Sequence, residues 1–131
     1  MAMVEHGDRW SLSVADPEII RLCFDYAVSL DIGLPESGVN VRIEQRLTLR
    51  RPGSDEVILT PGRDGVGLAP ILGLFGLTVE RLDAFKDGHL EVDLNDGTTL
   101  RVPSHDRYEA WIVAGSDHEM IISPPGGDPV G

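Results

Sequence analysis

Cysteine is almost absent from this 131-residue sequence, in which Cys23 is the only one. A single thiol cannot form an intramolecular disulfide, so the fold must depend on its hydrophobic core. Cys23 lies in the apolar run IIRLCF, which predicts a buried and inert thiol. Cysteine usage of this kind is typical of a reducing compartment and indicates a cytoplasmic protein.

Long apolar runs are also missing. No stretch approaches the roughly 18 consecutive apolar residues that a membrane helix requires. The N-terminal residues MAMVEHGD contain neither the basic region nor the apolar region of a signal peptide. The sequence therefore predicts a soluble, intracellular protein with no membrane partner.

Basic residues are scarce, since 11 Lys and Arg stand against 22 Asp and Glu and the formal net charge is −11. A surface of this sign repels phosphate backbones, which argues against nucleic acid as a direct partner. A basic protein, a cation or an uncharged ligand remains compatible with the charge. The charge also suits a protein in which it serves solubility alone.

Two Asp-Gly turns, Asp87-Gly88 and Asp96-Gly97, are the strongest structural signal in the chain. Each lies between runs of alternating apolar and polar residues, a pattern typical of β-hairpins, so residues 78–111 are predicted to form a meander. Because side chains alternate along a strand, one face of the middle strand is predicted to face the core and the other to face solvent. The predicted core residues on it are Leu90, Val92 and Leu94.

Alternating patterns predict further strands before and after this meander. One short buried helix is predicted over residues 68–75, with Pro70 in its first turn and Gly76 as its left-handed C-terminal cap. Residues 1–8 and 124–131 are expected to be flexible ends of a single domain spanning residues 9–123. The further strands are predicted at residues 9–14, 19–24, 26–32, 39–49, 56–59, 111–114 and 120–122.

The predicted fold class is α+β, mainly an antiparallel sheet with one helix. Three strands before the helix and three after it have similar patterns, which indicates either a weak internal repeat or a chance similarity, because any two strands share a period of two. Two such meanders can form one continuous sheet or a partly closed barrel, and the pattern does not choose between them.

No cofactor, metal or catalytic residue is predicted. His89, Glu91 and Asp93 share one strand face and are possible metal ligands, but neighbours on one face stand nearly 7 Å apart. A solvated polar face explains them more simply. The glycine-rich loop at residues 61–67 lacks the G-K-[ST] ending of a phosphate-binding P-loop and is interpreted as a turn.

The segment at residues 105–111 is the best candidate for a binding site. It concentrates an imidazole, two carboxylates, a guanidinium, a phenol and an indole where the chain enters a strand, and loops on rigid scaffolds often bind ligands. An alternative is that the two aromatic residues only plug the end of the sheet. The predicted binding residues are Asp106, Tyr108, Glu109 and Trp111.

Several segments together resemble a family of small bacterial domains of unknown function. The resemblance covers residues 10–127, and it implies no characterised activity. More loosely, the size and acidity are similar to those of immunity proteins that neutralise toxins. The segments that carry the family resemblance are FDYAVSL at 24–30, LAPILGLFG at 68–76, DGHLEVDLNDGTTLRV at 87–102, YEAW at 108–111 and PGG at 125–127.

Three functions are therefore compatible with the sequence. The first is a non-enzymatic binding domain, with an immunity-like role as one form of it, whose acidic surface meets a basic protein partner. The second is a small-ligand or catalytic pocket near Asp106, Tyr108 and Glu109. The third is a structural domain that forms a homodimer by pairing exposed sheet edges.

Overall fold

The structure is a computed structural model that describes residues 1–126. The predicted C-terminal tail lies partly outside these residues, because 127–131 are not among them. Residues 1–126 form twelve strands and one 3-10 helix, which spans Gly65–Leu74. The strands are β1 (Ala2–Glu5), β2 (Arg9–Ser13), β3 (Ile19–Phe24), β4 (Val28–Ile32), β5 (Val39–Ile43), β6 (Leu47–Arg50), β7 (Val57–Leu59), β8 (Val79–Phe85), β9 (Leu90–Leu94), β10 (Thr99–Val102), β11 (Trp111–Gly115) and β12 (Met120–Ile122).

The strands form two open antiparallel sheets. One has seven strands in the order β1-β2-β8-β9-β10-β6-β7, and the other has five in the order β12-β11-β5-β4-β3. The predicted antiparallel sheet with one short helix is confirmed. The α+β class is corrected to mostly β, because a single ten-residue helix accompanies twelve strands. The barrel alternative is wrong for the part of the chain described, since neither sheet closes on itself.

Both predicted meanders are present, but each lies in its own sheet. The first is β3-β4-β5 in the five-stranded sheet, and the second is β8-β9-β10 in the seven-stranded sheet. Both Asp-Gly turns form as predicted, with Gly88 at φ +100° and Gly97 at φ +87°. In each turn the aspartate accepts the backbone N–H two residues further on, which fixes the turn.

The long strand predicted over residues 39–49 is divided between the two sheets. It consists of β5 and β6, and residues 44–46 carry the chain from one sheet to the other. The inward parity of odd-numbered residues continues across the break, because both strands contribute to the same core. Gln45, the one polar residue at an odd-numbered position of the predicted strand, lies in this crossing.

One hydrophobic cluster fills the space between the sheets. The predicted core residues Leu90, Val92 and Leu94 are confirmed as buried, and Leu30 and Val41 of the five-stranded sheet belong to the same cluster. Two sheets that bury their inner faces against each other form a sandwich with a core about 10 Å thick.

Three local predictions differ from the structure. Tyr26 lies in a turn rather than a strand and is 88% exposed, because the backbone N–H of Asp25 donates to the Ala27 carbonyl. Residues 2–5, where no strand was predicted, form β1, which pairs with β2 although all four of its residues are exposed. Cys23 is partly exposed rather than buried, since β3 is an edge strand.

Candidate functional site

The helix that connects β7 with β8 has 3-10 rather than α geometry. A 3-10 helix has three residues per turn, so side chains three positions apart lie on one line. Leu68, Ile71 and Leu74 follow this spacing and are buried in the core. Gly76 follows the helix at φ +82° and confirms the predicted left-handed residue. The predicted first-turn position of Pro70 is wrong, because Pro70 lies inside the helix.

A second line of the same helix is apolar and exposed. It consists of Val66, Ala69 and Leu72, continued by Phe75 directly after the helix, and we call these four residues the exposed stripe. Val66 is 93% exposed, Leu72 59% and Phe75 62%. Large apolar side chains that are adjacent and exposed often mark a contact surface. All apolar residues of the helix were expected to be buried, and the spacing of three that separates the stripe from the buried line is a weak signal over so short a segment.

A groove of about 450 Å³ runs between the exposed stripe and the turn that joins β3 to β4. We call it the helix groove. Phe24, at the end of β3, forms one wall, and Val66, Ala69 and Leu72 of the stripe form the other. Phe24 is itself exposed and is followed two residues later by the protruding Tyr26. The groove is therefore an apolar depression bordered by exposed apolar side chains.

Two charged residues also line the helix groove, Asp25 and Arg63. The Ala27 N–H donates to the Asp25 carboxylate at 2.7 Å, and this hydrogen bond, helped by the nearby Arg42 guanidinium, lowers the pKa of Asp25 below its ordinary value. The Arg63 Nε lies 3.5 Å from the neighbouring Asp64 carboxylate. The groove thus has a fixed negative charge on one wall and a paired arginine at its end.

Of the four predicted binding residues, Trp111 has no exposed surface. Its indole Nε1 donates to the Gly88 carbonyl at 2.9 Å, which joins β11 to the β8–β9 turn. Trp111 therefore belongs to the core and offers no contact area to a partner. For Trp111, this burial agrees with the alternative that the aromatic residue packs at the end of the sheet.

The other three predicted residues are exposed, and the structure does not bring them together in one cavity. Asp106 lines a polar cleft of about 420 Å³, whereas Tyr108 and Glu109 are not among the residues that line it. The Tyr108 ring lies 5.3 Å from the ring of His105, measured between centroids. Binding through Asp106, Tyr108 and Glu109 stays a prediction.

On the polar face of β9, the charged side chains pair with one another in an ionic network. His89 Nε2 lies 2.8 Å from Glu91, while Arg81 of β8 pairs with both Glu91 and Asp93. Asp83 is only 2% exposed and lies between Arg9 and Arg81. Among residues 1–126, no three His, Cys, Asp or Glu side chains are grouped so that they could hold a metal ion.

The described part of the chain contains no helix that is both long and apolar enough to cross a membrane.

The fold and the site together define a small mostly-β domain: two antiparallel sheets with a common core and an exposed apolar groove beside a 3-10 helix. Residues 10–129 match the model of the family of unknown function DUF6188, so the chain belongs to that family. This confirms the predicted resemblance to a family of unknown function. Comparison with curated proteins and with solved structures gives no match.

Proposed function

We propose that the protein is a non-enzymatic binding domain whose helix groove receives an apolar side chain from a basic protein partner. The observation that carries this proposal is the exposed stripe of Val66, Ala69, Leu72 and Phe75 beside an apolar groove. The buried line of the same helix already provides its packing against the core. The described fold leaves the second apolar line mostly exposed.

The energetics favour a contact at this surface. Leu72 and Phe75 each expose more than half of their surface, and Val66 exposes nearly all of it. Full burial of a wholly exposed side chain of these types is worth about 1.5–3 kcal/mol, so Leu72 and Phe75, which are already partly buried, would each contribute less, before the entropic cost of association. A partner that inserts one apolar anchor between Phe24 and Leu72 would cover the centre of the patch.

The charge of the chain indicates which residues of the partner should surround that anchor. The net charge is −11, and Asp25 places a carboxylate on the groove wall. Lysine or arginine residues next to the anchor would be attracted to this surface, and the attraction would be screened by salt. The proposed partner is therefore a protein with an exposed apolar side chain flanked by basic residues.

The test is capture of partners from native cells by the full chain at low salt, with two variants. Leu72→Asp introduces a charge into the groove, whereas Ile58→Asp introduces the same charge on β7, where Ile58 is 60% exposed. We expect a basic protein to be retained by the original chain and by Ile58→Asp but lost from Leu72→Asp. Raising the salt from about 0.05 M to about 0.5 M should weaken the complex.

Two outcomes would contradict the proposal. One is capture of no protein at low salt, and the other is equal loss of the captured protein in Leu72→Asp and Ile58→Asp. Analytical sedimentation tests the alternative that the protein is a homodimer. A dimer that persists in both Leu72→Asp and Ile58→Asp would indicate pairing of sheet edges such as β1. All four residues of β1 are exposed, so that edge is the one to alter next.

A further inference from the structure

We infer that the polar cleft beside the helix groove binds an oxyanion, either a carboxylate or a phosphate group. This cleft, of about 420 Å³, is a separate cavity on the other side of Arg63, which lines both. Apart from Arg63, the inference concerns residues other than those of the proposed function, and it does not depend on that function. The residues that could donate hydrogen bonds in the cleft are Gln45, Arg46, Thr60, Arg63, Ser104 and His105.

Three connections of the fold meet at the cleft. Arg46 lies in the crossing between β5 and β6, Thr60 and Arg63 lie in the turn after β7, and His105 lies in the segment between β10 and β11. The turn after β7 is held by the Asp64 carboxylate, which accepts the Thr60 N–H at 2.6 Å. The cleft is thus formed by loops that the two sheets hold in place, a common position for ligand sites.

His105 is fixed in one orientation by its own loop. Its Nδ1 accepts the backbone N–H groups of Arg107 and Tyr108 at 3.0 and 3.3 Å. Its carbonyl accepts the N–H of Gly126 at 2.7 Å. Because Nδ1 is an acceptor, the neutral ring carries its proton on Nε2. Nε2 is therefore available as a donor, and within residues 1–126 no hydrogen bond uses it.

The lining of the cleft contains more positive than negative side chains, although the Arg63 guanidinium is also paired with the Asp64 carboxylate at 3.5 Å. Acidic residues outnumber basic residues two to one in the sequence, yet the cleft has two arginines, Arg46 and Arg63, and one carboxylate, Asp106. Arg46 is exposed and has no ion pair within the described range. Guanidinium groups bind carboxylates and phosphates through paired hydrogen bonds, and hydroxyl and imidazole donors complete the coordination of such anions. An oxyanion therefore matches this set of donors.

The test is a titration of the full chain with each of two probes, inorganic phosphate and acetate. Binding is measured from changes in the backbone amide chemical shifts. We expect saturable shifts around residues 45–46, 60–63 and 104–106 with at least one probe. Arg46→Gln should weaken that binding about tenfold or more, because it removes a charge-assisted pair. Arg50→Gln is the matched control, since Arg50 is an exposed arginine of β6 outside the cleft.

A pair of substitutions at His105 separates ligand binding from loop structure. Asparagine places an acceptor near the position of Nδ1 but has no counterpart of Nε2, whereas glutamine has a donor near Nε2 and loses the Nδ1 acceptor. We expect His105→Asn to weaken binding more than His105→Gln if the loop remains folded in both. The amide shifts of Arg107 and Tyr108 report the state of the loop.

The two probes distinguish the source of the anion. Saturation by phosphate alone indicates a phosphorylated ligand, and saturation by acetate indicates a carboxylate. Absence of saturable shifts with both probes would overturn the inference, and so would an equal loss in Arg46→Gln and Arg50→Gln. Probe binding reports on the cleft and partner capture reports on the helix groove, so failure of one and failure of the other are distinguishable.

Discussion

Arg51 and Pro70 are joined by a hydrogen bond in which the guanidinium Nη2 donates to the carbonyl at 2.8 Å. Arg51 directly follows β6, so this bond attaches the 3-10 helix to the end of the seven-stranded sheet. Gly73 lies beside the guanidinium, and an added Cβ there would overlap it. The glycine thus provides the space that Arg51 occupies.

This contact predicts that Gly73→Ala destabilises the protein by at most about 1 kcal/mol, because the flexible end of Arg51 can move aside but then loses its hydrogen bond to the Pro70 carbonyl. The measurement is the free energy of unfolding in urea. In an Arg51→Ala background the same substitution should cost nothing, since the obstructing side chain is gone. An equal cost in both backgrounds would show that Gly73 is required for another reason.

Local signals predicted the meander around β9 well. The two Asp-Gly turns specify their own geometry, and the period of two assigned Leu90, Val92 and Leu94 to the core. The pattern could not reveal that the second meander lies in another sheet. Both sheets bury one face against the same core, so the alternation along a strand is the same in either.

The candidate site was harder to predict than the fold. The aromatic and charged residues near Trp111 are of types common in binding sites, but Trp111 is buried and donates a hydrogen bond to the Gly88 carbonyl. The exposed stripe consists of ordinary apolar residues, and only the helix type determines which of them are exposed. A spacing of three among Val66, Ala69 and Leu72 differs little from the spacing in an α-helix over so short a segment. The site therefore depends on tertiary structure.

Trp111 should act on stability rather than on binding. Trp111→Phe removes a buried indole N–H donor and part of the core volume, and we expect a loss of about 1–3 kcal/mol in the free energy of unfolding. The Gly88 carbonyl keeps the hydroxyl of Ser123 as a donor at 2.7 Å, which limits the loss. Trp10→Phe, at a partly buried position, is the control and should cost less. Reduced partner capture with unchanged stability would instead support a contact role.

Asp83 should be essential for the ionic network on the outer face of the seven-stranded sheet. Its Oδ2 lies 3.3 Å from Arg9 Nε and 3.4 Å from Arg81 Nε, and both nitrogen atoms are buried. Asp83→Ala leaves these groups without an anion between them, so we expect a loss of about 1–3 kcal/mol in thermal or urea unfolding. Asp93→Ala removes a more exposed partner of Arg81 and should cost less. Equal losses would mean that burial of Asp83 has no special effect.

Glu91 should make the protein sensitive to acid. Burial raises the pKa of this carboxyl, but the hydrogen bond from His89 and the positive charges of Arg101 and Arg81 outweigh burial and hold it below the ordinary value of 4.5. The native state therefore binds fewer protons at Glu91 than the unfolded state does, and stability rises with pH in this range. The contribution is complete above pH 4.5 and is lost as the pH falls through the lowered native pKa.

The measurement that checks this is the urea midpoint at several values between about pH 7 and about pH 3. Glu91→Gln should reduce the fall of the midpoint on acidification, because glutamine does not titrate. Glu80→Gln, at an exposed position of β8, serves as the matched control and should retain the steeper fall of the original chain. Asp25, Asp87, Asp96 and Asp117 also have lowered pKa values, so the difference between the two variants isolates Glu91. Identical profiles for both variants would show that the network around Glu91 does not contribute to acid stability.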